Sequence, residues 1–469
     1  MVFSSMTFLL IFLPLTVHLY YLPPLFSDKF NNIFYKNVVL CLASLIFYAW
    51  GEPLNIVLML ISICFNYFIG IDIAQHYNRK WHKKILLIAA VIFNVGMIGF
   101  FKYSGFVVEN ISAVFGKESG FSGPTLPVGI SFYTFQILSY VIDVYKGKVR
   151  AQKSLVDFAL YISMFPQLIA GPIVQYSVID DQLRHRKSSL KFISAGVYRF
   201  TIGLAKKAIL ANAAGAIYSN YIAIGYNKLS VTGAWSAVIF YAFQIYFDFS
   251  GYSDMAKGLG YMFGFKFPEN FNFPYVADSI TDFWRRWHIT LSSWFRDYIY
   301  IPLGGSRCSV GRNIFNLFVV WALTGLWHGA SWNFVLWGIY FFVLLVLEKY
   351  IFRNLIDNMP KALRHILTLI LILFGWVIFS SENLADAASL FGCMFGANSF
   401  TDDMSSYLFV SNIFMMLTMA VFSTPTFGLR KIKGKNASRI KLAITISLLV
   451  ISFICLIADT YNPFLYFRF

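Results

Sequence analysis

Two histidines are the residues whose type and surroundings most clearly indicate chemistry. His288 lies in Asp282-Phe-Trp-Arg-Arg-Trp-His-Ile-Thr-Leu-Ser292, and His328 lies in Leu323-Thr-Gly-Leu-Trp-His-Gly-Ala-Ser-Trp-Asn333. Each directly follows a tryptophan in an apolar, tryptophan-rich stretch. An ionisable side chain in a membrane-spanning region is costly to bury, so it usually lines a cavity and has a function there. The pair therefore predicts a catalytic chamber within the bilayer.

General-base catalysis is the chemistry that such an imidazole supports. A neutral imidazole can remove the proton of a hydroxyl as that hydroxyl attacks a thioester carbonyl. Burial disfavours the imidazolium cation, so the neutral base is the form expected at pH 7. The motifs alone leave structural alternatives open. His328 can be a packing histidine bonded to a backbone carbonyl, and the segment around His288 can be an interfacial helix anchored at the headgroups.

The local sequence around His288 predicts a helix that begins near Ser279. Residues Ser279-Ile-Thr-Asp282 fit a capping box, in which the first side chain accepts a hydrogen bond from the backbone three residues later. If this helix continues through His288, Trp284 and Arg285 lie on the same face as the imidazole.

The local sequence around His328 predicts close helix packing. Gly325 and Gly329 form a G-x-x-x-G pattern, which lets a neighbouring helix approach the backbone. Thr324 and Trp332 are four residues from His328 on either side, so a continuous helix places them on its face.

Composition indicates an all-α, polytopic integral membrane protein. The chain of 469 residues is 58% hydrophobic, 19% aromatic and 13% charged, with a mean hydropathy of +0.64. Apolar segments follow one another without a linker, which predicts a single membrane domain over residues 1–469. The first apolar run has no preceding Lys or Arg, so we expect a retained helix rather than a signal peptide. Further segments lie at 37–50, 55–73, 85–101, 126–145, 155–170, 192–222, 231–250, 312–328, 331–348, 362–379, 405–423 and 440–458.

These segments predict about eleven transmembrane helices together with re-entrant segments, because several are shorter than the roughly 20 residues that cross the hydrocarbon core. Backbone broken by Gly or Pro at membrane depth must be covered by protein or water. Leu126-Pro-Val-Gly-Ile130 and Ala170-Gly-Pro172 are the two stretches of this kind.

The net charge of +16 is interpreted as a record of membrane topology, not as a nucleic-acid-binding surface. The positive-inside rule places the basic clusters in the cytoplasm, where they also contact anionic lipid. The clusters lie at Arg79–Lys84, Lys146–Lys153, Arg184–Lys187 and Arg430–Lys441.

Several function classes are disfavoured by missing motifs. The five cysteines are dispersed without a C-x-x-C pair, so neither a disulfide framework nor a cysteine-based metal site is expected. No Walker loop and no dinucleotide-binding glycine motif occurs. We therefore predict no metal ligands and no bound cofactor.

The two histidine motifs resemble the signature of the membrane-bound O-acyltransferase family, through Phe283–Ser292 and Gly325–Ala330. More narrowly, the chain is similar to the bacterial alginate O-acetyltransferase branch. The resemblance runs over nearly the whole chain and is weakest at about 398–445. The stretches that carry it are Met1–Ser5, Leu126–Tyr133, Phe165–Pro172, Tyr246–Ala256 and Tyr461–Phe469.

This resemblance implies a helical bundle around a central tunnel that joins a cytosolic funnel to the outer face. It implies that His328 is the main catalytic residue and that His288 is its partner near the cytosolic entrance. The expected donor is a cytosolic acyl thioester, acetyl-CoA, which is a substrate and not a bound cofactor. The candidate substrate-binding residues are Trp284, Arg285, Trp287, Trp327, Asp248 and Ser250. For Arg285 the alternative is a side chain that only reaches the interface, and for Asp248 it is a purely structural role.

The expected partners follow from the same resemblance. The chain lacks a Gly-Asp-Ser nucleophile block, which implies a separate extracytoplasmic SGNH-type acetyltransferase that completes transfer to a polysaccharide such as alginate. The expected location is the bacterial inner membrane. Two alternatives stay open, which are D-alanyl transfer toward teichoic acid and a transporter without covalent chemistry.

Overall fold

The computed structural model is all-helical in the part of the chain that it describes, namely residues 1–27, 32–117, 120–121, 123–169, 171–426, 434, 436–458 and 464–465. The α-helices are Leu13–Tyr21, Pro23–Phe26, Ile33–Gly51, Asn55–Gln75, Lys80–Ile98, Ser104–Val114, Ile130–Tyr145, Leu155–Ser163, Phe165–Leu168, Tyr176–His185, Leu190–Ala205, Asn212–Ile222, Val231–Met262, Ile280–Arg286, Ile289–Phe295, Val310–His328, Trp332–Val346, Arg353–Asn358, Lys361–Ser380, Leu384–Met394, Asp403–Phe422 and Ala437–Ala458. Single π-helical turns lie at Phe8–Phe12, Gly99–Tyr103, Lys206–Ala211, Arg296–Tyr300 and Leu347–Ile351, and a 3-10 turn lies at Pro274–Val276.

Nine helical stretches within the described residues are long and apolar enough to cross a membrane. The prediction of a polytopic, all-α membrane protein is thereby confirmed, while the count of about eleven spans is not. The nine stretches are Phe8–Phe26, Ile33–Gly51, Asn55–Gln75, Lys80–Val114, Leu190–Ile222, Trp332–Ile351, Lys361–Ser380, Asp403–Phe422 and Ala437–Ala458.

Two of the predicted apolar segments fold as shorter pieces. The segment at 126–145 gives a helix of 16 residues that begins only at Ile130. The segment at 155–170 is divided at Met164 into the helices Leu155–Ser163 and Phe165–Leu168. The division precedes Pro166 at the start of the second piece, where proline is tolerated because a first-turn N–H has no helical acceptor.

The chain forms two compact units. The first comprises residues 1–200 and 253–268, and the second comprises residues 201–252 and 269–469. The single membrane domain over residues 1–469 stays a prediction, as does the central tunnel.

The first unit has a phenylalanine core. The ring of Phe8 lies 5.0 Å from Phe3, 5.6 Å from Phe12 and 6.2 Å from Phe165, and Phe47 lies 5.6 Å from Phe165. Aromatic pairs at such separations add to the free energy of simple burial.

Both predicted re-entrant stretches interrupt the helices of this unit. Gly129 precedes the helix Ile130–Tyr145 with φ of 77°, and a Cβ there would lie 2.9 Å from the carbonyl oxygen of Leu168. Ala170 is outside the described residues, whereas 171–175 are non-helical and a Cβ on Gly171 would lie 2.5 Å from the Cα of Gln167. The backbone therefore turns at both places because of glycine, and the membrane side to which it returns stays a prediction.

Arg186, which belongs to one of the basic clusters predicted to lie in the cytoplasm, has a structural role. Arg186 donates hydrogen bonds to Asn37 Oδ1 at 2.5 Å, to the Phe263 carbonyl at 3.1 Å and to the Tyr20 hydroxyl at 3.2 Å. Its guanidinium also lies 4.3 Å from the ring of Phe265. This cation thus joins distant segments of the first unit. In the last basic cluster, residues 430–433 and 435 are outside the described part.

Candidate active site

His288 lies at the junction of two short helices in the second unit. The predicted helix start is confirmed, since Ser279 is the N-cap and its Oγ accepts the backbone N–H of Asp282 at 3.0 Å. The helix ends at Arg286, however, and His288 has φ of 43° and ψ of 52°. The predicted continuous helix is therefore wrong, and Trp284 and Arg285 do not share a helical face with the imidazole. A non-glycine residue in this left-handed region is uncommon and is stabilised only by its surroundings.

The loop before Pro274 imposes this break. The backbone N–H of Asn272 donates to the carbonyl of Arg286 at 2.9 Å, and the N–H of Ile289 donates to the carbonyl of Asn270 at 2.9 Å. These two bonds occupy backbone groups on either side of Trp287 and His288. The chain consequently turns at His288 instead of extending the helix.

The side chain of Asn270 orients the imidazole of His288. Its Oδ1 accepts the hydroxyl of Thr290 at 2.8 Å and the backbone N–H of Thr290 at 3.3 Å. The same oxygen lies 3.1 Å from His288 Nδ1. Because an amide oxygen only accepts hydrogen bonds, this geometry assigns the proton to Nδ1. Nε2 is then the basic nitrogen, and this buried atom has no hydrogen-bond partner among the described residues.

Burial also sets the charge of His288, which lies outside the nine candidate spans. Desolvation lowers the pKa of its imidazole to about 3, because the cation loses its hydration. The side chain is therefore neutral at pH 7, as a general base must be.

His328 is the last residue of the helix Val310–His328 and is packed among aromatic rings. Ring centroids lie 4.9 Å away for Trp327, 5.0 Å for Trp337, 5.2 Å for Phe379 and 6.4 Å for Phe334. These four rings are called the aromatic shell of His328.

Trp332 does not lie on the helix that carries His328, as a continuous helix would require. The helix ends at His328, and Trp332 begins the following helix and is 55% exposed. Helical spacing therefore does not relate the two side chains. Trp337 of the following helix contacts the imidazole of His328.

The predicted G-x-x-x-G pattern does not lie on one helix. Gly329 is extended, with φ of −168°, and a Cβ there would lie 2.2 Å from the ring of Phe334. A Cβ on Gly325 would lie 2.4 Å from the Phe334 carbonyl and 3.3 Å from the Cα of Gly338. Gly325 thus packs against Gly338 of the next helix, while Gly329 makes room for one ring of the aromatic shell.

The two histidine motifs meet at one indole. The ring of Trp327 lies 5.9 Å from that of His288 and 4.9 Å from that of His328. The two imidazole centroids are consequently no further apart than the sum of these distances. Residues forty positions apart in the sequence therefore form one buried cluster, and the catalytic chamber stays a prediction.

The other predicted tryptophans support this cluster from two sides. Trp284 contacts Trp321 at 4.8 Å and Trp337 at 5.5 Å, which connects it to the aromatic shell. Trp287 contacts Trp376 at 4.9 Å and Phe271 at 5.0 Å. Each of these two side chains packs against neighbouring rings, so a direct contact with substrate stays a prediction for both.

Asp248, Ser250 and Arg285 have other surroundings. Asp248 forms a buried ion pair with Lys207 at 2.7 Å and accepts the backbone N–H of Leu465 at 2.8 Å. Ser250 accepts a hydrogen bond from Lys206 at 3.4 Å, and Arg285 is exposed. These contacts give Asp248 a structural role, because it compensates a buried ammonium group and holds a distant segment.

Three residues of the site were missed by the sequence analysis. Asn270 orients His288, Lys207 neutralises Asp248, and the ring of Phe249 lies 4.7 Å from the ring of His288. Phe249 lies in a stretch that carries the family resemblance, so its position was a usable signal. Asn270 lies in an irregular segment between Pro268 and Pro274, where no local pattern reveals a partner.

A family model and several known proteins match this chain. The family model of the membrane-bound O-acyltransferases matches residues 148–391, which include both histidines. A probable alginate O-acetylase AlgI of Azotobacter vinelandii is 40% identical over 92% of this chain and 85% of that protein. A peptidoglycan O-acetyltransferase of Helicobacter pylori is 34% identical over 100% of this chain and 98% of its own length. A teichoic acid D-alanyltransferase of Bacillus subtilis is 30% identical over 54% of this chain and 69% of that protein.

The chain belongs to the membrane-bound O-acyltransferase family. It is a multi-pass membrane enzyme that transfers acyl groups.

Proposed function

We propose that this enzyme moves an acetyl group from cytosolic acetyl-CoA toward O-acetylation of an extracytoplasmic polysaccharide of the alginate type. The names of its full-length relatives, an alginate O-acetylase and a peptidoglycan O-acetyltransferase, support acetyl as the acyl group and a polysaccharide as the final acceptor. The observation that carries the proposal is the convergence of His288 and His328 on Trp327. The location that fits is the bacterial inner membrane, where the donor and the polymer lie on opposite sides.

In the proposed reaction His328 is the general base. It removes the proton of the acceptor hydroxyl as the oxygen attacks the thioester carbonyl, and the new C–O bond forms as the C–S bond breaks. The proton then passes to the departing thiolate, so the imidazole is regenerated. The aromatic shell excludes water, which would otherwise hydrolyse the thioester.

His288 is the second catalytic group in this proposal. Asn270 presents its Nε2 as an unprotonated nitrogen, which is suited to accept a hydrogen bond from a substrate group. Trp327 contacts both imidazoles, so it is the proposed substrate-binding residue closest to the chemistry. Trp284 packs against Trp337 of the aromatic shell, and Trp287 packs against Trp376.

Charged and polar neighbours have more peripheral proposed roles. Arg285 is exposed and suits contact with the phosphates of the donor. Asp248 and Ser250 position the helix that carries Phe249 against His288. A separate extracytoplasmic SGNH-type acetyltransferase is the proposed partner that completes transfer to the polymer.

The decisive experiment is acyl transfer in vesicles that contain the purified full-length protein. Labelled acetyl-CoA is supplied on one side and a hydroxyl acceptor on the other, and transfer is measured for the wild type, His328→Ala and His18→Ala. We expect His328→Ala to reduce transfer by about 10³-fold and His18→Ala to preserve it, because His18 is an exposed histidine of the helix Leu13–Tyr21. Normal transfer by His328→Ala would exclude the proposed base, and no transfer by the wild type would favour a transporter without covalent chemistry.

The acyl group itself distinguishes the second candidate function. The teichoic acid D-alanyltransferase of Bacillus subtilis is similar to 54% of this chain, so D-alanyl transfer is the second candidate. Mass spectrometry of the cell envelope from cells with and without the gene separates an acetyl ester from an alanyl ester. We expect only the acetyl ester to depend on the gene.

Membrane sidedness is tested separately by single-cysteine labelling in intact cells. We expect loops 79–84, 146–153 and 184–191 to be cytosolic, so an impermeant reagent applied outside should not label them. Lys187→Cys is a suitable probe, since Lys187 is exposed. Labelling from outside would contradict the proposed return of the chain near Gly171.

A further inference from the structure

Three potential metal ligands meet where two membrane helices of the first unit face each other. Asp72 is in the last turn of the helix Asn55–Gln75, His76 caps that helix, and His82 is in the first turn of the helix Lys80–Ile98. Asp72 Oδ1 lies 2.6 Å from His76 Nδ1 and 3.2 Å from His82 Nε2. The two imidazole centroids are 4.6 Å apart.

We propose that Asp72, His76 and His82 bind a first-row divalent cation, with Zn²⁺ as the best fit. Each residue offers one ligand atom, and all three atoms lie within 4.8 Å of one another. Ligands held at about 2.0–2.1 Å in a tetrahedral zinc site are about 3.4 Å apart, so shifts below about 1 Å convert the observed arrangement into a coordination sphere. Two imidazoles and one carboxylate are a ligand set that zinc commonly takes in proteins.

The fourth coordination position of the proposed tetrahedral zinc site is suited to a water molecule, because all three ligand side chains are partly exposed. The three side chains are between about one third and two fifths exposed, at 37% for Asp72, 34% for His76 and 41% for His82. The ammonium group of Lys83, the residue after His82, has aromatic partners, at 3.8 Å from the ring of Tyr77 and 5.1 Å from that of Tyr145.

Hydrogen bonding without a metal is the competing explanation of the cluster. An aspartate and a histidine four residues apart on a helix can pair alone, as Asp181 and His185 do at 2.8 Å. The cluster differs from that pair because a second imidazole, from another helix, is directed at the same carboxylate oxygen. Convergence of three potential ligands from two helices is the feature that favours a cation.

The proposed ion joins the ends of two helices and takes no part in acyl transfer. Its ligands belong to the first unit, whereas His288 and His328 belong to the second. The prediction of no metal ligands rested on the cysteines and did not cover this cluster. In the sequence the cluster is D-x-x-x-H, from Asp72 to His76, with His82 six residues after His76. These residues lie between two apolar runs.

The test uses full-length protein purified with a tag that contains no histidine. The protein is treated with a chelator, dialysed and titrated with Zn²⁺, and bound zinc is measured by mass spectrometry. We expect one zinc per chain in the wild type and none in the double variant His76→Gln/His82→Gln. The single variant His82→Gln should bind at least about tenfold more weakly, since even loss of a residue that only hydrogen-bonds to a ligand costs that much.

The matched control is His185→Gln, which removes the histidine of the simple Asp181 pair. It should bind zinc as the wild type does, and an equal loss of zinc in this control would overturn the proposal. Zinc retention by the wild type no greater than by the double variant would also overturn it. Co²⁺ substitution in the wild type alone provides a readout that does not depend on the folding of any variant. A visible spectrum of tetrahedral cobalt supports the site, and an octahedral aqua-ion spectrum refutes it.

Discussion

The two histidines of the second unit are held in place by different forces. His288 sits in a left-handed backbone conformation and is oriented by a hydrogen bond with Asn270. His328 ends a regular helix, and four aromatic rings surround it. Hydrogen bonds fix direction and tautomer, whereas packing fixes position and excludes water. Changes in polarity should therefore disturb His288 most, and changes in volume should disturb His328 most.

Removal of the imidazoles should give the largest effects. We expect His328→Ala to reduce acyl transfer by about 10³-fold and His288→Ala by about 10²-fold, within the range that a general base contributes. The difference is expected because the aromatic shell leaves little room for a water that could replace His328. Initial rates of labelled acetyl transfer in vesicles measure both.

Equal amounts of folded, monodisperse protein in each preparation are the control for this measurement. A greater loss with His288→Ala than with His328→Ala would exchange the roles of the two histidines.

A change of volume beside His328 should give the next largest effect. Gly329→Leu places side-chain atoms where the Phe334 ring now lies, since even a Cβ would be 2.2 Å from it. We expect transfer to fall by about 10²-fold, the loss associated with a misplacement of about 1 Å. Size-exclusion chromatography should still show folded protein, because a side-chain ring can move.

Gly325→Leu provides the contrast, since its Cβ would meet a backbone carbonyl at 2.4 Å. This variant should lose thermal stability as well as activity. Near-normal turnover in Gly329→Leu would show that the aromatic shell does not determine the position of His328.

Loss of the polar partner should affect His288 alone. We expect Asn270→Ala to reduce transfer on the order of tenfold, because the imidazole remains but its orientation and tautomer are no longer fixed. Asn270→Asp keeps acceptor oxygens and should retain more activity than Asn270→Ala. Rates measured over a range of pH distinguish an effect on His288 from a general loss of structure.

Asn272→Ala is the matched control in the same loop, since its side chain is exposed and its structural bond is made by the backbone. It should behave as the wild type. A similar loss in both variants would mean that loop geometry, not the Asn270 oxygen, is what matters.

The buried state of His288 predicts a dependence of stability on pH. Its folded pKa of about 3 lies below the ordinary value of about 6.5, so the unfolded chain binds this proton first as the pH falls. The free energy of unfolding that the neutral imidazole contributes is fully present above about pH 6.5 and is lost between about pH 6.5 and pH 3. The loss reaches about 2 kcal/mol at pH 5. Thermal unfolding of the wild type and of His288→Asn between pH 7 and pH 5 should therefore show the steeper loss in the wild type. Parallel slopes would contradict the buried, neutral imidazole.

The smallest effect is expected for Arg285. This side chain is exposed, and an exposed charge contributes little to stability. Arg285→Gln should change kcat by less than about threefold and act mainly on the KM for the donor, because a contact with donor phosphates is a binding interaction. Arg286→Gln is the comparison, since Arg286 pairs with Asp282 at 2.8 Å. This variant should lower the stability of the protein and leave the KM for the donor unchanged. An unchanged KM in Arg285→Gln would remove this residue from the donor site.

The sequence by itself determined the membrane class, the helical content and the two histidine motifs. Apolar runs near the thickness of the bilayer leave few alternatives to helices, and the capping box at Ser279 began a helix where it was predicted. These features are local, so they can be read within a few neighbouring residues.

The tertiary structure alone decided what each histidine contacts. The backbone bonds that Asn270 accepts and Asn272 donates end the helix before His288, and the helix after His328 brings Trp337 to its imidazole. Likewise, His82 approaches Asp72 only because two helices meet there. Helical periodicity relates residues three or four positions apart, and each of these contacts joins residues that it does not relate. A backbone N–H that donates to a distant carbonyl, as that of Ile289 does to Asn270, cannot also donate within a local helix.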